Sequence, residues 1–320
     1  MPFIYFMGIM RIVPECITCI IDDILKALAL LDVPRKDVDA IMADSMKYLG
    51  DHYLDNEPPS YYITELHRIL KRYLNVDMPF STLREICLAS CKEVAHDCAQ
   101  EAKRYSGLEK MRFLIRWAIA ANALDFRTAG AGYCIATDKI ERMLKDYFDA
   151  GLAVDQTEKI FHHIKNARHI VYLPDNVGEL PFDKLLIAEC GSYGAAFTVP
   201  FRGGPITSDV VLTDAKAVRL NEVVDDIILS GPDTLGVSFK EMTDECITAL
   251  KRADVVIAKG QANFYVLSEF GMQFPNAVLI SLFVTKCRHV AGLFGQKDKV
   301  NIAAVLKEVN GRITMENGPL

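Results

Sequence analysis

The sequence predicts an α/β protein: a doubly wound, mostly parallel sheet in the C-terminal half, with a helical N-terminal region. Three observations carry this. The first half repeats apolar residues at helical spacing, and from about residue 168 short apolar runs alternate with helical segments. At the ends of those runs, glycines, cations and polar groups recur, as expected where a parallel sheet opens onto a ligand.

In the first half, helical spacing covers residues 17–31, 38–49, 62–74, 83–98 and 111–123, with Pro58, Pro59 and Gly107 as punctuation. Cys87, Cys91 and Cys98 share one helix face, which reads as packed core. In the second half, strands are expected at 169–173, 195–201, 226–229, 254–258 and 277–284, and helices at 182–190, 213–220, 239–251 and 264–270. The expected division is 1–165, a helical region covering the site, and 166–320, an α/β region binding metal and phosphate.

Composition narrows the function. The 320 residues hold 36 basic and 42 acidic side chains for a net charge of −6, with no basic stripe interleaved with aromatics, so nucleic acid is not an expected partner. The most apolar run, 276–284, is far shorter than the ~20 residues a bilayer span needs, so no membrane partner is expected. The opening MPFIYFMGIMRIVPEC lacks the plan of a signal peptide and suggests an over-extended start, with Met7 or Met10 as the true first residue. Nine cysteines then read as thiols in a reducing cytoplasm.

Chemistry gathers at the strand ends. The first run closes in Pro174-Asp175-Asn176 and the second in Arg202-Gly203-Gly204-Pro205. The third closes in Ser230-Gly231, the fourth in Lys259-Gly260-Gln261-Ala262-Asn263, and the fifth in Thr285-Lys286. Asp175 and Asn176 offer hard oxygens suited to Mg²⁺, Mn²⁺ or a similar ion, and Asp209 lies at another loop on the same edge. A turn-and-cap role for Asp175 and Asn176 is the plain alternative. Glu179 and Asp183 follow on the helix that begins there. Lys259 and Lys286 form a candidate anion pocket, with Ser230, Gly231 and Asn263 beside it and glycine backbone N–H groups open to phosphate oxygens.

At these residues the sequence resembles the domain-of-unknown-function-89 family of metal-dependent damage-control phosphatases, in its prokaryotic branch. The resemblance rests on Pro14-Glu15-Cys16-Ile17-Thr18-Cys19, on Asn122-Ala123-Leu124-Asp125-Phe126, on Asp175-Asn176-Val177-Gly178-Glu179, on the stretch around Asp209, on Lys259-Gly260-Gln261-Ala262-Asn263 and on Lys286. It implies that Asp175, Asn176 and Asp209 hold a divalent metal ion (Mn, Co, Ni or Mg). It also implies that Lys286 contacts the phosphate of a small phosphorylated metabolite. Asn122 and Asp125, polar residues at the end of a long amphipathic helix just before the glycine-containing loop 128–132, are expected to face the cleft. Ser208 stands before Asp209 where the family pattern has Asn.

The expected reaction is hydrolysis of small phosphomonoesters, sugar phosphates or damaged phosphometabolites, with Asp175 or Asp209 as nucleophile or base. Asp209 is expected to be an exposed strand-end carboxylate whose neutralisation is mild for folding. The family also contains a human relative proposed to methylate carboxylates. An S-adenosylmethionine-dependent carboxyl methyltransferase is therefore the runner-up, and a non-catalytic phosphometabolite-binding protein the third reading. Neither a D-x-D-x-T/V signature nor a Walker A loop is present, since Asp37-Val38-Asp39 continues into a helical segment. Cys16 and Cys19 admit redox, metal or structural roles, and one C-x-x-C is weak evidence for zinc. His162, His163 and His169 read as surface or packing residues.

Overall fold

A computed structural model describes residues 10–124, 137–273, 277–297, 299–309 and 312–316. The helical half comprises α1 (Pro14–Leu30), α2 (Arg35–His52), α3 (Pro59–Leu74), α4 (Ser81–Ala102), α5 (Gly107–Ala121) and α6 (Thr137–Asp149). Prolines open α1 and α3 in the first turn, where the missing N–H is not needed, and Asn75 closes α3 in the left-handed conformation at φ 50°. The chain continues through β1 (Val154–Asp155), α7 (Thr157–Asn166), β2 (His169–Leu173), α8 (Leu180–Gly191), β3 (Ala196–Arg202), α9 (Leu212–Ala217) and β4 (Asp226–Gly231). It ends with α10 (Asp244–Arg252), β5 (Val255–Lys259), α11 (Gly260–Gln273), β6 (Val278–Val284), α12 (Arg288–Leu293), β7 (Asn301–Val309) and β8 (Arg312–Met315).

The strands form one sheet in the order β1-β7-β6-β5-β2-β3-β4, with β8 also paired to β7. β2 to β6 run parallel, and β7 is antiparallel to β6. The doubly wound, mostly parallel sheet expected from the sequence is therefore present. All five expected strands fall within two residues of their predicted bounds. β1, β7 and β8 are additions, and the helix expected over 239–251 begins later, at Asp244. There the Thr243 hydroxyl accepts the Cys246 N–H at 3.1 Å and caps the helix.

Alternation along the strands feeds two cores. Ile170 and Tyr172 of β2, Val255 and Ile257 of β5, and Ile280 and Leu282 of β6 join one cluster with α4, α5, α6 and α8. Val171, Leu173, Val256, Ala258, Leu279 and Phe283 join the opposite cluster with α10, α11 and α12. This period of two on both faces is why the strands read as unbroken apolar runs. The chain passes residue 165 inside the first of these shared cores. A third cluster joins α1, α2 and α3 to Cys87 of α4 and to Val177, just beyond the end of β2.

The winding sets the location of the site. From β2 the chain steps to β3 and β4, then returns to lay β5 against the other side of β2. The carboxyl ends of β2 and β5 thus flank a switch point, where crevices open in such sheets.

Candidate functional site

Asp175 and Gly260 meet at that switch point. Gly260 has φ +77°, a conformation that penalises a side chain, and a Cβ added there would stand 1.8 Å from Asp175 Oδ2. The rest of Lys259-Gly260-Gln261-Ala262-Asn263 is similarly committed. Asn263 Nδ2 donates to the carbonyls of Pro174 (3.2 Å) and Lys259 (2.8 Å), and its Oδ1 accepts the Val237 N–H at 2.9 Å. Gln261 Oε1 accepts the Lys286 N–H at 2.7 Å, which ties the loop after β6 to the end of β5.

Asp209 arrives from the loop after β3. Asn176 and Asp209 form an isolated antiparallel bridge, with Val210 N donating to Asp175 O at 3.0 Å and Val177 N to Ser208 O at 2.8 Å. Backbone pairing, not side-chain chance, therefore brings the three expected ligands together. Asp209 Oδ1 accepts the Gly236 N–H at 2.9 Å and lies 3.0 Å from Arg202 Nη2, and Thr207 Oγ1 donates to Oδ2 at 3.1 Å. Arg202 Nη1 also donates to Pro174 O at 2.6 Å. Arg84 of α4 donates to the carbonyls of Thr207 and Asp209, both at 2.8 Å. The sequence expectation that Asp209 is exposed is corrected: Asp209 and Arg202 are both 0% exposed.

Behind Asp175 lies a buried charge cluster. Lys259 Nζ donates to Glu179 Oε2 and, at 2.9 Å, to Asp183 Oδ1, which also accepts the Tyr172 hydroxyl at 2.6 Å. Asn122 Nδ2 donates to Asp175 Oδ2 at 2.9 Å and to Glu179 Oε1 at 2.8 Å, while its Oδ1 accepts the Val284 N–H at 3.0 Å. Burial pushes the Asp175 carboxyl up to about 7, Glu179 and Asp209 adding to the rise while Lys286 and Arg202 oppose it. Burial likewise raises Asp183 to about 6, reinforced by Glu179 and opposed chiefly by Lys259. Lys259 resists the desolvation that would lower it and is held above its usual value by Asp183 and Glu179.

The other sequence candidates are placed as follows. Lys286 is half-buried, and its charge reaches Asp175. Lys259, expected in an anion pocket, is wholly buried and committed to two carboxylates. Ser230 gives its hydroxyl to Phe201 O at 3.1 Å, and a Cβ on Gly231 would meet Glu241 O at 2.6 Å, so both are occupied by packing within the chain. Asn122 faces the strand ends as expected, and Asp125 lies outside the described residues. Arg84, Arg202 and Gly236 were not assigned from the sequence. Arg202 was visible as a cation at a strand end, but Arg84 carries no local signal of its tertiary partners.

The residues fit a divalent cation. Asp175, Glu179, Asp183, Asp209 and Asp214 are five buried carboxyl groups beside the three buried cations Lys259, Arg202 and Arg84, an acidic excess that, with burial, holds Asp175 and Asp183 toward their protonated forms when no cation is bound. Among the described residues no three His, Cys, Asp or Glu side chains converge as a metal-holding group. A metal between Asp175 and Asp209 would therefore need an amide or backbone oxygen as well. Asn176 is the neighbour able to supply one: its Nδ2 now donates to Asp175 Oδ2 at 2.8 Å and to Glu179 Oε1 at 2.6 Å, and its Oδ1 accepts from Ser208. Turning that amide over would present its oxygen where only a cation is tolerated. The acceptor atoms at this point are hard carboxylate and amide oxygens, as Mg²⁺ or Mn²⁺ prefers.

Comparison with known proteins gives a family. The model of the damage-control phosphatase ARMT1-like domain matches residues 12–301. A damage-control phosphatase of Pyrococcus horikoshii is 30% identical over 286 residues, covering 88% of this chain and 93% of its own length. A damage-control phosphatase of Archaeoglobus fulgidus is 28% identical, covering 94% and 99%. An uncharacterized protein of Methanocaldococcus jannaschii is 28% identical, covering 89% and 92%. A crystal structure of a DUF89 family protein from P. horikoshii superposes with a TM-score of 0.80 at 25% identity, covering 92% of this chain and 98% of that one.

Proposed function

Because the chain belongs to the damage-control phosphatase ARMT1-like family, we propose that it is a divalent-metal-dependent phosphatase acting on small phosphomonoesters. Asp175, Asn176 and Asp209 would hold Mn²⁺, Co²⁺, Ni²⁺ or Mg²⁺. The observation that carries this reading is the backbone bridge between Asn176 and Asp209, which sets two buried carboxylates and an amide side by side at the switch point of the sheet. A sugar phosphate or a damaged phosphometabolite is the proposed substrate class, and the cytoplasm the proposed location. The latter suits the described cysteines, among which no disulfide forms.

When bound, the ion would supply positive charge to a phosphoryl oxygen and to the attacking water. The chain supplies the rest. Lys286, half-buried and anchored through its N–H to Gln261, would meet the equatorial phosphoryl oxygens. Asn122 fixes Asp175 and Glu179 from above, which restrains the carboxylate during turnover. In the metal-free chain burial pushes the Asp175 carboxyl up to about 7, and a bound ion would hold the same group ionised as its ligand.

The test is release of inorganic phosphate from p-nitrophenyl phosphate and a panel of sugar phosphates by chelator-stripped protein, with Mn²⁺, Co²⁺, Ni²⁺ or Mg²⁺ restored singly. Metal-stimulated turnover that fails in Lys286→Ala supports the reading. No turnover with any of the four ions, in folded protein, removes it.

A further inference from the structure

Two loops hold Asp209, and one helix grips both. Residues 203–211 carry Asp209 itself, while the loop after β4 offers the Gly236 N–H to Asp209 Oδ1 at 2.9 Å. On α3, Thr64, Arg68 and Lys71 follow one another at intervals of four and three and so share one face. Thr64 Oγ1 accepts the Leu235 N–H at 3.0 Å, one residue before Gly236. Arg68 Nε donates to Asp233 Oδ1 at 3.0 Å, and its Nη2 to Asp233 O at 3.2 Å and Glu241 Oε2 at 2.9 Å. Lys71 Nζ donates to Asp233 Oδ2 at 2.6 Å and to Pro205 O at 2.9 Å, bridging one loop to the other.

The grip has little slack. Arg68, Lys71 and Asp233 side chains are 18%, 16% and 21% exposed, so solvent screens these pairs less than surface ones. A Cβ on Gly204 would stand 3.2 Å from Asp233 Cβ, and one on Gly236, at φ +69°, would stand 3.0 Å from the Ala262 carbonyl carbon. The loop is thus pressed between α3 and the start of α11, with its N–H at a fixed point.

We propose that Arg68 and Lys71 are positioning residues for Asp209: by fixing Asp233 they hold the Gly236 N–H on the Asp209 carboxylate, so a helix of the N-terminal half sets the aim of a carboxylate at the sheet edge. The consequence for metal binding rests on the function proposed above; the positioning itself does not. Thr64 completes the same face.

The experiment uses full-length protein labelled with ¹⁵N-glycine, in which an N–H donated to a buried carboxylate exchanges slowly. Arg68→Gln and Thr64→Val should each speed exchange of the Gly236 amide at least tenfold and shift its resonance, while the Gly50 and Gly191 signals stay in place. Glu65→Ala, which removes a partner of Arg68 outside the loop, should leave Gly236 unmoved. Mn²⁺ affinity measured by calorimetry should fall by about tenfold in the first two variants, the scale seen when a ligand's hydrogen-bond partner is removed. Arg68→Lys should recover part of both effects. Should Arg68→Gln fail to fold, Lys71→Gln, which removes the second cation on Asp233, decides by the same Gly236 readout. An unchanged Gly236 amide in folded variants overturns the positioning role. Wild-type protein that binds no Mn²⁺ overturns the metal reading alone, with the amide still deciding this one.

Discussion

Asp175 occupies the space that a side chain on Gly260 would need: a Cβ there would lie 1.8 Å from Asp175 Oδ2 and 2.2 Å from its Cγ. No rotamer of a neighbour relieves such a contact, because Asp175 is itself pinned by Asn122 and Asn176. Gly260→Ala should therefore displace the carboxylate. Metal-stimulated phosphate release should fall on the order of 10²-fold, the scale of a 1 Å misplacement. Left-handed strain should cost about 1 kcal/mol of stability besides. Near-normal turnover in Gly260→Ala would show that Asp175 does not need this placement.

Lys259 is the sole described cation touching both Glu179 and Asp183, and all three are fully buried. Lys259→Met would leave two carboxylates without compensation, costing about 3–5 kcal/mol. The melting temperature should drop on the order of 10 °C for a chain of this size. Adding Glu179→Gln and Asp183→Asn should restore most of the loss, because the buried charge goes with its partner. Thermal unfolding of the single and triple variants checks this, and equal melting temperatures in the two would contradict it.

The strand ends were legible because β2, β5 and β6 are buried on both faces and so appear as short apolar runs bounded by polar residues, and the edge strand β4 keeps an apolar run although Leu229 is exposed. β7 escaped for a local reason: Ile302, Ala303, Ala304, Val305 and Leu306 are all buried, and such a run, holding paired alanines, has neither strand alternation nor β-branched enrichment throughout. β1 has two residues and leaves no pattern at all. At the site, the sequence showed Lys259 as a cation at a strand end but not that the Glu179–Asp183 turn of the chain meets it. That pairing joins residues 80 and 76 positions apart. The grip of Arg84 on the Asp209 loop spans 125 positions and has no sequence signature.

Without metal, Asp175 should make stability depend on pH. Its folded value, about 7, stands above the 3.8 of an ordinary aspartate, so the folded state binds the proton more tightly. That contribution is fully present below the unfolded value and is lost as pH rises through the folded one. Urea unfolding in chelator, from about pH 5 to about pH 8, should show wild type losing roughly 1–3 kcal/mol more than Asp175→Asn. Equal slopes in the two proteins would remove Asp175 as the source.

Cys16 is half-buried and Cys19 exposed on α1, and burial pushes both thiols up, away from the thiolate that a soft metal or a nucleophile requires. A Cys16→Ser, Cys19→Ser protein should keep Mn²⁺-stimulated phosphate release within about twofold of wild type, since hard oxygens are the expected ligands. Complete loss in a folded double variant would put the pair in the site.

Asp209→Asn is expected to separate function from folding only with help from a second change. From the sequence, an exposed carboxylate among other carboxylates should be neutralised at little cost. In the structure Asp209 lies buried 3.0 Å from the equally buried Arg202, so the substitution leaves a guanidinium with its charge unmatched. The amide oxygen of the new side chain can still accept the Gly236 N–H, which moderates the loss to about 2–4 kcal/mol instead of the full cost of breaking a buried pair. Adding Arg202→Met removes the orphaned charge, and the double variant should regain most of its urea stability relative to Asp209→Asn, a coupling that the double-mutant cycle reads directly. Metal-stimulated phosphate release should stay absent in both proteins, because each lacks one of the carboxylates proposed to balance the dication. Wild-type turnover by the stable double variant at saturating Mn²⁺ would exclude Asp209 from the ligand set.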